Sequence, residues 1–174
     1  MNELHFLHEF RIDKLTNSIL NTISGDSFQT EITLLTKQDI KIVLLKHGWN
    51  FDWSKELSHN DREVYKLTIV SNPAIIQGLA SFTIKKDHIL LNLLESAPFN
   101  IGQRKLYEGV PGNLVAFGCK LSFQRGAEGY LAFHAKTALV GHYIETLGAV
   151  HVGGHLMVID SEAANKLVEK YFKT

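Results

Sequence analysis

Apolar residues at Ile12, Leu15, Ile19 and Ile23 recur at three- and four-residue intervals, which predicts a helix over residues 12–23 with Gly25 as its stop. Residues 31–35 and 40–45 read as a strand pair, or as a strand and a short helix. Trp49, Phe51 and Trp53 alternate through 48–53, and the polar stretch 54–62 reads as a loop or a ragged helix. Three strand-like runs follow. In 64–70, Tyr65, Leu67 and Ile69 alternate with Val64, Lys66 and Thr68. The run 75–84 carries Gly78 as a candidate bulge, and 88–95 is the third. Asn72-Pro73 and Lys85-Lys86-Asp87 punctuate them as turns, so the three runs predict an antiparallel meander.

The character changes after Pro98. Residues 99–112 form a loop rich in glycine and polar groups, and a helix is predicted over 113–125 with Leu114, Phe117 and Leu121 on one stripe. Gly126 and Gly129 end it. Residues 130–134 read as a short buried strand and 137–147 as a helix stopped by Gly148. The runs 150–152 and 156–159 flank Gly153-Gly154, a hairpin signal. A last helix is predicted over 162–172. Meander, loop, helix, strand, helix and hairpin together imply an α+β domain: a mixed, mostly antiparallel sheet flanked by helices. A chain of 174 residues suits one such domain around one core.

Composition narrows the function. Lysines and arginines number 18 and acids 18, so the chain lacks the charge excess of a dedicated nucleic-acid binder. The single cysteine, Cys119, sits in an apolar helical pattern and reads as a small buried hydrophobe. No apolar run reaches the ~18 residues of a membrane span. The polar, acid-bearing start over residues 1–11 is unlike a secretion signal, and the expected location is the cytoplasm.

The stretch that carries chemistry is Tyr107-Glu108-Gly109-Val110-Pro111-Gly112-Asn113-Leu114, placed after a strand and at the opening of a helix. Glycines admit close backbone approach, and a helix start offers unpaired N–H groups at the positive end of its dipole. Such a site holds an anion without a lysine cluster, although Arg104, Lys105 and Lys120 could add charge nearby. The plain alternative is a turn that feeds a helix. The stretch matches neither GxxxxGK[ST] nor GxGxxG.

These pieces resemble the GCN5-related N-acetyltransferase family. The strand 88–95, the loop at Gly109–Leu114, the strand 130–134, the helical His142-Tyr143-Ile144-Glu145-Thr146-Leu147-Gly148-Ala149 and the glycine hairpin occur in that family's order. The likeness spans roughly residues 63–160, with 1–62 as a variable N-terminal part. It implies acetyl-CoA as cofactor, lodged where the sheet opens between Glu95 and residues 130–134. Leu94, Glu95, Gly109, Val110, Gly112, Asn113 and Leu114 would hold the cofactor, the first two from the strand that supports the thioester carbonyl. Here Tyr107 stands where the family loop has Gln or Arg, and Val110 stands for its first glycine. Tyr143 lies one position before the family's tyrosine, which is Ile144 here.

Acyl transfer to an amine needs a base for the amine and an acid for the leaving thiolate. Alternation puts Glu95 on a face with Ile89, Leu91 and Leu93, where a carboxylate could serve as base; a solvated strand end is the plainer reading. Tyr143 shares a helical stripe with Leu139 and Leu147, so it is either a core aromatic or the general acid, with His142 as substitute. His134 is a strand-end histidine that could act as a base or simply cap a loop. His142, His151 and His155 lack a cysteine or carboxylate at ligand spacing, so no metal site is expected. Trp49, Phe51 and Trp53 either floor a pocket or pack the N-terminal part.

The expected activity is N-acetyl transfer from acetyl-CoA to an amine on a small molecule or peptide, with 29–61 shaping the acceptor site. The competing reading is a non-catalytic acyl-CoA-binding or protein-interaction module on the same fold. Modification of aminoacyl-tRNA would call for a basic surface, and the neutral net charge argues against it. Oligomeric state is left open, a homodimer included.

Overall fold

The structure, a computed structural model, describes residues 5–172. Residues 1–4 of the polar start lie outside that range. Strands β1 (Ile19–Asn21), β2 (Ser27–Phe28) and β3 (Thr30–Leu34) come first, then helix α1 (Trp53–Ser58). The meander is β4 (Arg62–Ile69), β5 (Asn72–Ile84) and β6 (Ile89–Ser96). Short strand β7 (Tyr107–Glu108) leads into helix α2 (Val110–Gln124), followed by β8 (Leu131–His134) and α3 (Val140–Leu147). Hairpin β9 (Val150–Gly153) and β10 (Leu156–Ile159) and helix α4 (Ser161–Phe172) complete it.

One seven-stranded sheet runs β3-β4-β5-β6-β8-β10-β9, and β2-β1-β7 form a small second sheet. Every pairing in the large sheet is antiparallel except β6 with β8. This is the predicted α+β architecture. Leu67, Phe82, Ile89, Leu91 and Leu94 face a core built with Leu114, Phe133, Tyr143 and Tyr171. Val64, Leu79 and Leu93 face a second cluster containing Trp49 and Trp53.

Three expectations are corrected. Residues 12–18 are not helical, and the chain enters β1 at Ile19. Thr16, Asn17 and Ser18 are poor helix formers, and the Asn21 side chain accepts from the N–H groups of Ile23 and Ser24, closing a turn where the helix would continue. Helix α2 opens at Val110, three residues before its predicted start. Gly109, at φ 102°, makes the left-handed entry, and Pro111 fits the first turn.

The third correction concerns the face that Glu95 occupies. Pairing of β5 with β6 slips between Ser81↔Leu93 and Phe82↔Leu91, so Asn92 is a bulge. The bulge reverses the alternation. Leu94 joins Ile89 and Leu91, while Leu93 and Glu95 turn to the tryptophan side. The expected bulge by Gly78 is present, with the β4–β5 register shifting beyond Leu67↔Gly78. Cys119 is fully buried, and burial pushes its thiol pKa up.

Candidate functional site

Strands β6 and β8 pair in register only at Ile89↔Leu131 and Leu90↔Ala132, yet both continue, to Ser96 and to His134. Beyond that point they separate and leave a wedge in the sheet, as the sequence analysis expects between Glu95 and residues 130–134.

Segment 5–18 enters the wedge. His8 forms a parallel bridge with Ala135; its N–H donates to the His134 carbonyl at 2.7 Å, and the Lys136 N–H donates to its carbonyl at 3.0 Å. The His8 imidazole, 1% exposed, reaches β6 through Nε2 and the Leu91 carbonyl at 3.1 Å. One residue thus links both splayed strands. Phe6, Phe10 and Phe133 set their rings around that imidazole. Burial lowers the His8 pKa from 6.5 to about 4, with His134 adding to the effect. His134 is itself lowered by burial and by the neighbouring His5, which stacks on it at 4.0 Å.

The segment then follows α3 to the start of α2. The Tyr143 hydroxyl donates to the Phe10 carbonyl at 2.6 Å, and the Ile12 N–H donates to His142 Nε2 at 2.9 Å. At the head of α2 the Gly109 N–H donates to the Asp13 carboxylate at 3.1 Å, and Lys105 pairs with that carboxylate at 3.0 Å. The Tyr171 hydroxyl of α4 donates to the Lys14 carbonyl at 3.2 Å. A Cβ on Gly112 would overlap that hydroxyl, so only glycine lets α4 close over this turn.

The residues predicted to bind a diphosphate therefore divide. Gly109 turns its N–H to the groove and holds a carboxylate there, an anion at a helix start. Gly112 lies beneath Tyr171 and Lys14. The fully buried Asn113 amide donates to the Gly109 carbonyl at 2.8 Å and to the Ser18 carbonyl at 3.2 Å. Val110 and Leu114 pack in the core against Gly78.

Glu95 and Tyr143 end in different surroundings. Glu95, 5% exposed, accepts from the Asn50 N–H at 2.7 Å and from Trp53 Nε1 at 2.9 Å. It lines a cavity of about 610 Å³ together with Arg11, Asn50, Ser96, Lys105 and Pro111. Tyr143 is wholly buried beneath Phe10, and burial raises its phenol pKa, so it keeps its proton at neutral pH. Burial lowers the His142 pKa, and the Ile12 bond uses Nε2 as an acceptor. Trp49 and Trp53 are core residues, while Phe51 lines the cavity. Among the described residues no group of His, Cys, Asp and Glu could hold a metal ion, and no helix is long and apolar enough to cross a membrane.

Sequence reasoning missed segment 5–18 as part of the site, with His8, Phe10, Asp13 and the covering Tyr171. A signal was present: Phe6, His8, Phe10 and Ile12 alternate with period two, which marks extended chain.

No family model matches the chain, and no curated protein matches it in sequence. Its fold is shared with solved structures. The ribosomal-protein-S18-alanine N-acetyltransferase of Escherichia coli aligns at TM-score 0.54 and 16% identity, over 76% of this chain and 95% of its own. Spermidine N-acetyltransferase from Vibrio cholerae, in complex with CoA and spermine, aligns at TM-score 0.54 and 14% identity, over 79% and 98%. A chimera of that enzyme with hSSAT gives 0.57 and 15%, over 79% and 99%. With nearly the full length of each neighbour covered and the strand order set out above, the chain has the fold of the GCN5-related N-acetyltransferases.

Proposed function

We propose that this protein is an N-acetyltransferase that takes its acetyl group from acetyl-CoA and delivers it to an amine. The observation that carries the reading is the wedge between β6 and β8, whose open end lies by the head of α2, where the Gly109 N–H already holds a carboxylate. The residues fit such a cofactor. The wedge already takes an extended chain, and the head of α2 already takes a carboxylate. Gly109 would meet the diphosphate, with Gly112 and Asn113 holding the turn in shape behind it and Val110 and Leu114 seating that turn on β5; Leu94 and Glu95 would flank the acyl end. When bound, coenzyme A supplies an activated thioester.

The chain's own residues supply the rest. Glu95, oriented by Asn50 and Trp53 at the cavity edge, takes the amine proton directly or through a water. Tyr143 keeps a proton on its hydroxyl and is the proposed general acid. The cavity beside Glu95 is the proposed acceptor site, open to a small amine or a peptide terminus.

A second reading is a non-catalytic binding module. It is favoured by segment 5–18 in the groove and by the hydrogen bonds that engage Glu95 and Tyr143. Calorimetric titration with acetyl-CoA, followed by thiol release during a screen of polyamines, aminoglycosides, amino acids and peptides, separates the two. Binding with amine-dependent thiol release supports the enzyme, binding without release with any amine supports the module, and absence of binding both by the folded protein and by a folded variant with the segment 5–18 contacts weakened removes both.

A further inference from the structure

Segment 5–18 lies in the wedge where the proposed cofactor would lodge and engages two groups assigned to the reaction, the Gly109 N–H and the Tyr143 hydroxyl. Its backbone adds to β8 at the mouth of the wedge, through the His134 carbonyl and the Lys136 N–H. Its His8 side chain spans to the Leu91 carbonyl of β6. Its Phe10 carbonyl takes the Tyr143 hydroxyl, and its Asp13 carboxylate takes the Gly109 N–H where a phosphate oxygen would sit. The two occupants cannot share the Tyr143 hydroxyl and the Gly109 N–H.

We infer that segment 5–14 is an intramolecular occupant of the cofactor groove, a strap that must leave before acetyl-CoA can enter; this rests on the proposed function. The character of its contacts supports exchange. Its described polar contacts are separate bonds and not a continuous strand ladder, among them a single backbone bridge at His8, the His8 imidazole, the Phe10 carbonyl, the Ile12 N–H and the Glu9 and Asp13 carboxylates. His8 Nδ1 is buried with no hydrogen-bond partner, so the docked state leaves a polar atom unsatisfied. The acyl end of the groove stays open as the cavity beside Glu95, which the strap borders with Phe10, Arg11 and Asp13.

A ligand that binds only the strap-free state binds more weakly in proportion to the rarity of that state. If the free state is ~1% populated, apparent affinity falls roughly 100-fold.

Glu9 and Lys136 give a handle on the strap. They pair across the bridge at 2.6 Å, with side chains 63% and 49% exposed, so neither belongs to the core. In a Glu9→Cys/Lys136→Cys variant a short bismaleimide fixes the strap in place, and the wholly buried Cys119 stays out of reach. The expected result is loss of calorimetric acetyl-CoA binding on cross-linking. In the unlinked wild-type protein, acetyl-CoA is expected to speed amide exchange across residues 5–14. A His8→Ala variant, which removes the link to β6 far from the helix head, should bind acetyl-CoA about tenfold more tightly or better, the loss of one buried hydrogen-bonding group.

Equal binding by linked and unlinked protein, or unchanged exchange of residues 5–14, overturns the strap and leaves the cofactor reading standing. Absence of binding by the unlinked protein and by a folded His8→Ala variant overturns the cofactor reading and the strap with it.

Discussion

Acidification should loosen this protein through His8, and the size of the effect follows from where that imidazole sits. His8 is wedged between β6 and β8, faces His134 and has its pKa lowered from 6.5 to about 4, chiefly by burial. The sign is fixed by linkage. Between those two values the exposed imidazole binds a proton and the buried one does not, so stability is full above pH 6.5 and falls as the pH drops toward 4. At about 1.4 kcal/mol per tenfold change the whole span is roughly 3 kcal/mol, of which about 2 kcal/mol is lost by pH 5. Urea unfolding at pH 7.5 and pH 5.0 should then show a midpoint about 1 M lower at the acid pH, for a slope of ~2 kcal/mol/M. His134 and His142 are also lowered and push the same way, so the control is a His8→Gln variant, measured at both pH values. The difference between the two pH dependences belongs to His8. Equal midpoint shifts in wild type and variant would refute the argument, because the acid sensitivity would then come from other groups. Amide exchange at pH 5.0 locates the loss: residues 5–14 should open before β4 and β5.

The other predictions concern the candidate site. Tyr143→Phe leaves the Phe10 carbonyl without its donor and should cost about 1–2 kcal/mol in thermal unfolding; if Tyr143 is the general acid, turnover should fall by about 10²-fold as well. Glu95→Gln places an amide nitrogen against either the Asn50 N–H or Trp53 Nε1, and should cost about 1–3 kcal/mol in urea unfolding. A proton-accepting role adds a loss of amine-dependent thiol release that Trp53→Phe, which removes the Nε1 donor and part of a buried ring but leaves the carboxylate, reproduces weakly. Gly112→Ala should destabilise by about 1–3 kcal/mol through the clash with Tyr171, and much of that cost should vanish in a Tyr171→Phe background.

The meander and the elements after it were legible because their signals are local. Alternation in 64–70, 75–84 and 88–95, the helical stripes of 137–147 and 162–172, and Gly153-Gly154 each decide their own element. The wedge was legible only through the family resemblance, since no local pattern says that two strands pair for two residues and then part. The side of the sheet that Glu95 occupies was lost to one residue. Strict alternation assigns Glu95 to the face of Ile89 and Leu91, and the bulge at Asn92 moves it to the tryptophan cluster.

Residues 12–23 show why a periodic signal can mislead where two periods overlap. Ile12, Leu15, Ile19 and Ile23 satisfy a helical count, while Phe6, His8, Phe10 and Ile12 satisfy an extended one. A helix through 12–18 would commit the Lys14 carbonyl to an intrahelical bond and turn the Asp13 carboxylate away, so both would leave the partners they find in the fold. Those partners are scattered through the chain: His134 and Lys136 beside β8, Tyr143 and His142 on α3, Gly109 before α2 and Tyr171 on α4. Each lies more than ninety residues from its contact in the segment, so no window around residue 12 contains the evidence. Long-range contacts of this kind outweigh local propensity once the groups are buried, because a buried polar atom without a partner costs more than a lost turn of a weak helix. The residues that close the groove are therefore the ones least visible from the sequence around them, while the glycine turn they close upon announces itself locally.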